Sequence, residues 1–118
     1  MEVGRVPPRQ TEPERAAWDG LKGIDKLLEH RTRLGACVLL SRSDRISFSR
    51  LRSLLEETDG NLGAHLRKLE DAGYLAVRRE FLDRKPVTWY ALTQTGRRAL
   101  KRHLGALARV VKGSASAL

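Results

Sequence analysis

The clearest folding signals lie in residues 58–100, which read TDGNLGAHLRKLEDAGYLAVRREFLDRKPVTWYALTQTGRRAL. Thr58 is a favourable helix N-cap, and Asp59 follows in the first turn, where the helix dipole favours an anion. An apolar stripe with helical spacing follows, formed by Leu62, Leu66 and Leu69. Gly73 stands at the position where a helix commonly ends. The stretch therefore opens with a predicted amphipathic helix, residues 58–72.

The side of this helix opposite the leucines carries small residues. A step of about 100° per residue places Gly60, Ala64 and Arg67 there, and His65 near the buried edge. Each glycine costs about 1 kcal/mol relative to alanine, so a solvated face would favour longer side chains. Small residues let a helix approach base edges in the DNA major groove, where Asn, Arg and Lys make contacts. The candidate DNA-contacting residues are Asn61, Gly63, Ala64, His65, Arg67 and Lys68.

Two alternatives stand beside this interpretation. The helix could be a surface helix with low helix propensity, and His65 could be a half-buried structural residue rather than a base-reading one. The basic hairpin that follows directly favours the DNA-binding interpretation of the helix.

That hairpin is predicted from two β-rich runs, YLAVRREF and VTWYALT, separated by LDRK and Pro86. The spacing predicts a long, basic tip that contacts phosphates or a minor groove. The candidate contacts are Arg78, Arg79, Arg84, Lys85 and Thr88. Arg84 and Lys85 are the stronger ones, because Glu80 and Asp83 partly neutralise the strand. Phe81, Trp89 and Tyr90 are interpreted as packing residues rather than base-stacking ones, and a simply solvated hairpin is the alternative for the whole element.

The preceding residues predict three further helical segments. Apolar residues at 17, 21, 24 and 28 predict a helix from about Glu14, weakened by Gly20 and Gly23, and a second follows at roughly residues 31–40. RISFS is a short extended piece whose Ser47 or Ser49 caps the helix RLRSLLEE. In that helix Leu51, Leu54 and Leu55 are expected to face inward. Ser47, Ser49 and Arg50 are candidates for holding a phosphate at its start.

The quoted stretch closely resembles the recognition helix, wing and following helix of small bacterial and archaeal MarR/ArsR-like winged-helix transcriptional regulators. The most specific parts are TDGNL..HLRKLE.AGY and TWYALT..GR.A, and the similarity covers about residues 24–110. It implies a mainly α fold with a small β-hairpin wing (α+β), a winged helix-turn-helix with extra terminal helices, and a DNA-binding homodimer. Relatives usually carry Gly and an apolar residue before this threonine, whereas this chain has Glu56 and Glu57. A glycine there would accept a positive φ at low cost.

The terminal helices are expected to join two chains. Thr93 can cap a long last helix, whose apolar stripe has the same spacing as the N-terminal one. The predicted dimer interface consists of Trp18, Leu21, Ile24, Leu28, Leu100, Leu104, Leu107 and Val111. Packing of each stripe on its own domain is the alternative. A two-fold dimer would present two recognition helices to half-sites about 34 Å apart. We predict a flexible arm at residues 1–13, one domain at 14–112 and a disordered tail at 113–118.

Composition limits the remaining possibilities. The 118 residues carry a formal net charge of +9, and residues 93–118 hold six basic side chains and no acidic one. This balance favours a polyanionic partner, although for the last helix a solvated basic face is the preferred interpretation. The longest apolar run, LGACVLL, is far shorter than the ~20 residues that span a bilayer. With no hydrophobic signal core either, we expect a cytoplasmic, nucleoid-associated protein that does not bind membranes.

No residue pattern predicts chemistry. The single cysteine, Cys37, excludes an internal disulfide and is interpreted as a core residue rather than a redox sensor. Neither it nor His30, His65 and His103 forms a metal-binding motif, and no catalytic motif is present. We therefore expect no cofactor, no metal and no enzymatic activity, and the sequence identifies no effector.

The sequence thus predicts a sequence-specific regulator of transcription, a homodimeric repressor that binds double-stranded DNA. Its recognition helix would lie in the major groove, and its wing on the flanking backbone or minor groove. The alternative from another class is a winged-helix module for protein–protein assembly that does not bind DNA.

Overall fold

The computed structural model describes residues 12–115, which form five α-helices, one short 3₁₀ helix and three strands. The elements are α1 (Glu12–Lys22), the 3₁₀ helix (Lys26–Leu28), α2 (Arg31–Ser41), β1 (Ile46–Ser47), α3 (Phe48–Leu55), α4 (Asp59–Asp71), β2 (Leu75–Leu82), β3 (Lys85–Leu92) and α5 (Gln94–Ser114). The predicted mainly helical fold with a β-hairpin wing is confirmed. The chain divides into two compact units, residues 25–101 and α1 with the part of α5 from Arg102 onward.

The core of the unit at residues 25–101 is built mainly from leucines. Its fully buried side chains include the predicted stripe of α4, together with Leu28, Leu40 and Leu51. Three sequence predictions need correction here. Leu28 and Leu100 belong to this core, with exposed fractions of 0% and 4%, so they are not surface residues available to a second chain. Leu54 does not face inward: it is 44% exposed, because Leu51 and Leu55, one turn apart, form the buried side of α3.

The termini of α4 follow the sequence prediction closely. The Thr58 hydroxyl accepts a hydrogen bond from the backbone N–H of Asn61 at 3.2 Å. At the other end, the N–H groups of Gly73 and Tyr74 donate to the carbonyls of Glu70 and Leu69 at 2.8 and 2.9 Å. This pattern is a Schellman motif, which requires a left-handed residue, and Gly73 supplies it with φ = 80°.

Helix α3 ends in the same motif without a glycine. The N–H of Glu56 donates to the Ser53 carbonyl at 3.3 Å, and that of Glu57 donates to the Arg52 carbonyl at 3.1 Å. Glu56 accordingly adopts φ = 52° and ψ = 47°, the left-handed region that a Cβ atom disfavours. The turn before α4 therefore has the geometry that a glycine would favour, and the backbone of Glu56 is strained by it.

The strands form one antiparallel sheet in the order β1–β3–β2. Leu82 pairs with Lys85, so only Asp83 and Arg84 lie in the turn, both with positive φ (50° and 67°). The predicted long tip is therefore wrong: Lys85 and Pro86 belong to β3. A two-residue turn with positive φ at both positions matches the right-handed twist of the strands, which explains the compact tip.

The other unit brings α1 against the last three turns of α5. A Cβ built on Gly20 would lie 2.6 Å from the Ala106 carbonyl oxygen and 2.8 Å from Cγ2 of Val110. The glycine that weakens α1 in isolation thus permits close helix packing. Helix α1 ends at Lys22, just before Gly23.

The two terminal boundaries differ slightly from those we predicted. Helix α1 already begins at Glu12, and α5 continues through Ser114. The remainder of the predicted arm and tail, residues 1–11 and 116–118, lies outside the described residues.

Candidate nucleic-acid interface

The outward face of α4 carries two glycines, and no contact in the described chain requires a residue without a side chain at either position. Asn61, Ala64, Arg67 and Lys68 are exposed, and Gly60 lies among them. A Cβ built on Gly60 or on Gly63 meets no atom within 4 Å. These two glycines therefore serve neither internal packing nor an unusual backbone angle. The face leaves room for a molecule that approaches the helix backbone from outside.

His65 differs from the other five candidates of α4, because its ring contacts side chains of the same domain. Its Nδ1 lies 2.9 Å from Nη1 of Arg33, and its ring centroid lies 4.0 Å from that of His30. Burial, followed by the charges of His30 and Arg33, lowers the pKa of His65 below its usual 6.5. The structural interpretation of His65 is thus the better supported one, since the ring holds α4 against α2.

Two polar contacts fix the turn between α3 and α4. Arg52 Nε forms an ion pair with Asp59 Oδ1 at 3.0 Å, and Thr32 Oγ1 donates to Glu57 Oε1 at 3.1 Å. The half-buried Glu57 carboxylate is therefore used within the chain, whereas Glu56 is exposed. The ion pair links α3 to the start of α4, and the hydrogen bond ties the turn between them to α2.

The start of α3 exposes two of its three predicted phosphate contacts. The half-buried Ser47 is the N-cap, and its hydroxyl accepts the backbone N–H of Arg50 at 3.2 Å. Ser49 and Arg50 are exposed, and the Ser49 hydroxyl lies 3.4 Å from that of Ser47. Ser49 and Arg50 can therefore meet a phosphate directly, while Ser47 orients the helix end.

The wing carries its predicted basic residues on different faces. Arg79 pairs with Thr88 on the face that also holds Val77 and Tyr90, whereas Arg78 lies on the opposite face. Arg78 and Arg45 both form ion pairs with Glu80 at 3.3 Å, which confirms the expected partial neutralisation of the strand. Arg84 and Lys85 are exposed at and beside the turn.

Arg45 is a basic residue of the wing base that sequence reasoning missed. Its guanidinium lies 4.0 Å from the centroid of the Trp89 ring, in addition to its ion pair with Glu80. The sequence signal was weak, since one arginine before a two-residue strand has no periodicity.

The structure also corrects the prediction that Phe81 is a packing residue, because its side chain is 79% exposed. It lies beyond the part of the sheet that the helices cover.

The predicted dimer residues outside the central core retain exposed apolar surface. Trp18 and Leu21 on α1 are 61% and 51% exposed, and Leu104 and Val111 on α5 are 43% and 67% exposed. Ile24 and Leu107 are half-buried. Six of the eight predicted interface residues thus remain candidates.

The described residues offer little for chemistry. Between Glu12 and Ala115, no group of three His, Cys, Asp or Glu side chains could hold a metal ion. Cys37 is fully buried, and this burial, followed by the charge of Asp25, raises the pKa of its thiol to about 12. Over the same part of the chain, no helix is long and apolar enough to cross a membrane.

Comparison with known proteins identifies the fold. Residues 32–111 match the family model of the winged helix DNA-binding domain. The chain is 30% identical over 79 residues to an uncharacterised protein of Methanocaldococcus jannaschii, MJ0432, covering 67% of this chain and 86% of that protein. A transcriptional regulator homologue from Pyrococcus horikoshii OT3 superposes with a TM-score of 0.73 at 34% identity, covering 80% of this chain and 95% of that chain.

A more distant neighbour is the zinc-responsive MarR family member ZitR of Lactococcus lactis. It shares the fold with a TM-score of 0.54 at 17% identity, over 73% of this chain and 58% of that one. Its structural neighbours thus include a transcriptional regulator homologue from an archaeon and a MarR family member from a bacterium, and the chain itself belongs to the winged helix DNA-binding domain family.

Proposed function

We propose that this protein is a sequence-specific transcriptional regulator that binds double-stranded DNA as a homodimer and represses transcription. Helix α4 lies in the major groove, and the wing lies on the flanking backbone or in the minor groove. The observation that carries the proposal is the open space over Gly60 and Gly63. The similarity to the transcriptional regulator homologue of Pyrococcus horikoshii supports it.

The open face of α4 supports the assignment of base contacts. Asn61 stands in the first turn of the helix, where recognition helices commonly meet base edges, and its amide can pair with adenine. Arg67 and Lys68 lie one to two turns further on and can reach guanine or phosphate. Gly63 and Ala64 provide the clearance between them.

Backbone contacts are assigned to the exposed basic residues on either side of that face. Arg50 with Ser49 stands at the start of α3, and Arg84 and Lys85 stand at the wing. Arg79 and Thr88 form a cross-strand pair three positions inward from the pair Leu82–Lys85. Such contacts orient the protein without reading sequence.

Dimerisation rests on the exposed apolar side chains of α1 and of the end of α5, led by Trp18 and Val111. Burying them in a second copy would bring two recognition helices onto half-sites about 34 Å apart. A dimer of this kind covers a stretch of duplex and excludes other proteins from it, which is why we propose repression.

The test is binding to duplexes selected from a random pool, measured by fluorescence anisotropy over a range of salt concentrations. Contacts to at least about six phosphates predict a loss of roughly 10³-fold in affinity between about 50 and 200 mM salt. The double variant Arg84→Ala/Lys85→Ala should weaken binding to all sequences and reduce the salt slope, whereas Asn61→Ala should mainly relax base preference.

Gly63→Ala tests the clearance itself. It should raise thermal stability, because alanine favours the helix by about 1 kcal/mol, and yet weaken binding to the selected duplex at least tenfold. Gly20→Ala is the matched control. It should lower thermal stability, because the added Cβ would clash with the Ala106 carbonyl oxygen. A flat salt response, or no binding to duplex at low salt, would instead support the assembly-module alternative.

A further inference from the structure

The tip of the wing exposes two large apolar side chains where a soluble hairpin normally carries polar ones. Phe81 is 79% exposed and its neighbour Leu82 is 54% exposed. Pro86 in the facing strand is exposed as well. No packing within residues 12–115 accounts for this cluster, which we call the apolar tip (Phe81, Leu82 and Pro86).

The strand register directs Phe81 toward the helical side of the sheet. Successive residues of a strand point to opposite faces, so Phe81 shares a face with Val77 and Leu75. That face is the one that packs in the core: Leu75 and its cross-strand partner Leu92 are buried there beside α4 residues. Phe81 is paired with Pro86 on the same face, beyond the last buried pair. Phe81 and Pro86 of the apolar tip thus extend the inner face of the wing, whereas Leu82 lies on its opposite face.

The surroundings of the apolar tip are basic. Arg79 is the next residue inward on the Phe81 face, Arg84 lies in the turn, and Lys85 pairs with Leu82. The Glu80 carboxylate is on the opposite face and is bound to Arg45 and Arg78. Within the turn itself, Asp83 is the single acidic residue. The pattern of an apolar point between cations matches the minor groove, which has stacked bases at its floor and phosphates along both edges.

We propose that the apolar tip is a wedge that enters the minor groove and inserts Phe81 between two base pairs, which kinks the bound DNA. The inference rests on the proposed DNA-binding function and adds a deformation step to it. A two-residue turn makes the tip the narrowest end of the wing, and the minor groove, about 6 Å wide in straight DNA, widens as part of the same deformation to admit it. Phe, Leu and Pro side chains are the types that proteins use to part a base step, with kinks of about 20–90° toward the major groove. Arg84 and Lys85 hold the two flanking phosphate rows.

A kink of this kind would also make the wing contribute to sequence choice. Pyrimidine–purine steps unstack at lower cost than others, so the preferred site should place TA or CA beneath the tip. This preference arises from deformability, without hydrogen bonds from the wing to base edges.

The experiment measures DNA bending and binding separately. A selected duplex carries donor and acceptor dyes at its ends, and 2-aminopurine replaces one adenine at successive positions in the flank. The full-length protein should shorten the end-to-end distance and raise 2-aminopurine fluorescence several-fold at one step in each half-site only. The variant Phe81→Ser should lose the fluorescence increase and most of the bend and bind at least tenfold more weakly, while Phe81→Leu should retain most of both signals.

The variant Phe81→Ser should fold normally, because its parent side chain is mostly exposed, and a matched thermal melt checks this. The charge variant Arg84→Ala/Lys85→Ala separates phosphate binding from bending. It should reduce the salt slope but leave the DNA bend in place at saturating protein. Tight binding to duplex without a bend or a fluorescence change, or an equal bend with Phe81→Ser, would overturn the wedge and leave the proposed function standing. Absence of duplex binding, with Phe81-dependent sedimentation on phosphatidylglycerol vesicles, would overturn both.

Discussion

Replacing Glu56 by glycine should stabilise this protein, although it removes a side chain from an exposed surface. Glu56 holds φ = 52° at the end of α3, in a hydrogen-bonded motif identical to the one that ends α4 at Gly73. One of the two helices therefore ends on the residue that the motif favours, and the other does not. The substitution tests whether the backbone strain at residue 56 is real.

The expected gain is the difference between two opposing effects. A side chain in the left-handed helical region costs about 1–2 kcal/mol, which glycine would relieve. Glycine in turn loses about 0.5–1 kcal/mol more conformational free energy on folding than a residue with a Cβ. The net increase in the free energy of unfolding is about 0.5–1 kcal/mol. For a chain of 118 residues this raises Tm by roughly 2–6 °C.

The assay is urea and thermal unfolding of the wild type, Glu56→Gly and Glu57→Gly. Glu57 is the matched control: it is the adjacent glutamate, but its Oε1 accepts a hydrogen bond from Thr32 at 3.1 Å. Its replacement should lower stability by about 1–2 kcal/mol, through the lost hydrogen bond and the entropy of glycine. The reasoning is refuted if Glu56→Gly unfolds at the same or lower urea concentration than the wild type, or if the two variants shift in the same direction.

Three further predictions concern separate parts of the chain. The thiol of Cys37, whose pKa is raised to about 12 by burial, should resist alkylation at pH 8 in the folded protein and react only on unfolding; fast labelling would contradict its burial. Because the pKa of His65 is lowered on folding, its contribution to the free energy of unfolding should be fully present above pH 6.5 and decrease as the pH falls below that value. The variant His65→Gln should reduce this pH dependence in urea titrations. The double variant Trp18→Asp/Val111→Asp should sediment as a monomer and bind DNA more weakly, whereas an unchanged oligomeric state would remove α1 and α5 from the interface.

The sequence predicted those elements in which local signals and burial agree. Helix α4 has a capping threonine, a leucine stripe and a terminal glycine, and all three take the predicted roles. Periodicity alone was less reliable. Leu28 and Leu100 belong to apolar stripes that also contain exposed residues, and spacing cannot show which members of a stripe face the chain's own core.

The wing shows a second kind of limit. The β-rich composition predicted both strands, but the turn was predicted too long, because Lys85 and Pro86 have low strand propensity. Pairing with Leu82 and Phe81 brings them into β3 nonetheless. The aromatic residues could not be sorted by type alone: Tyr90 is buried and Phe81 is exposed on one face of the same ribbon. Distance from the helices decides between them, and this distance depends on tertiary structure.

The glycines show why the candidate site could be predicted only in part from sequence. Gly20, Gly60 and Gly63 all lie in helices, where glycine has a lower propensity than alanine. The space around each differs completely, because Gly20 meets the backbone of α5, while Gly60 and Gly63 face nothing within 4 Å. In the first case the lost helix stability is offset by packing within the chain. In the second nothing in the described chain offsets it, and the same argument applies to the exposed Phe81. Both features carry a cost in the free protein that binding to DNA would offset, and they lie on the two elements that we assign to the two grooves.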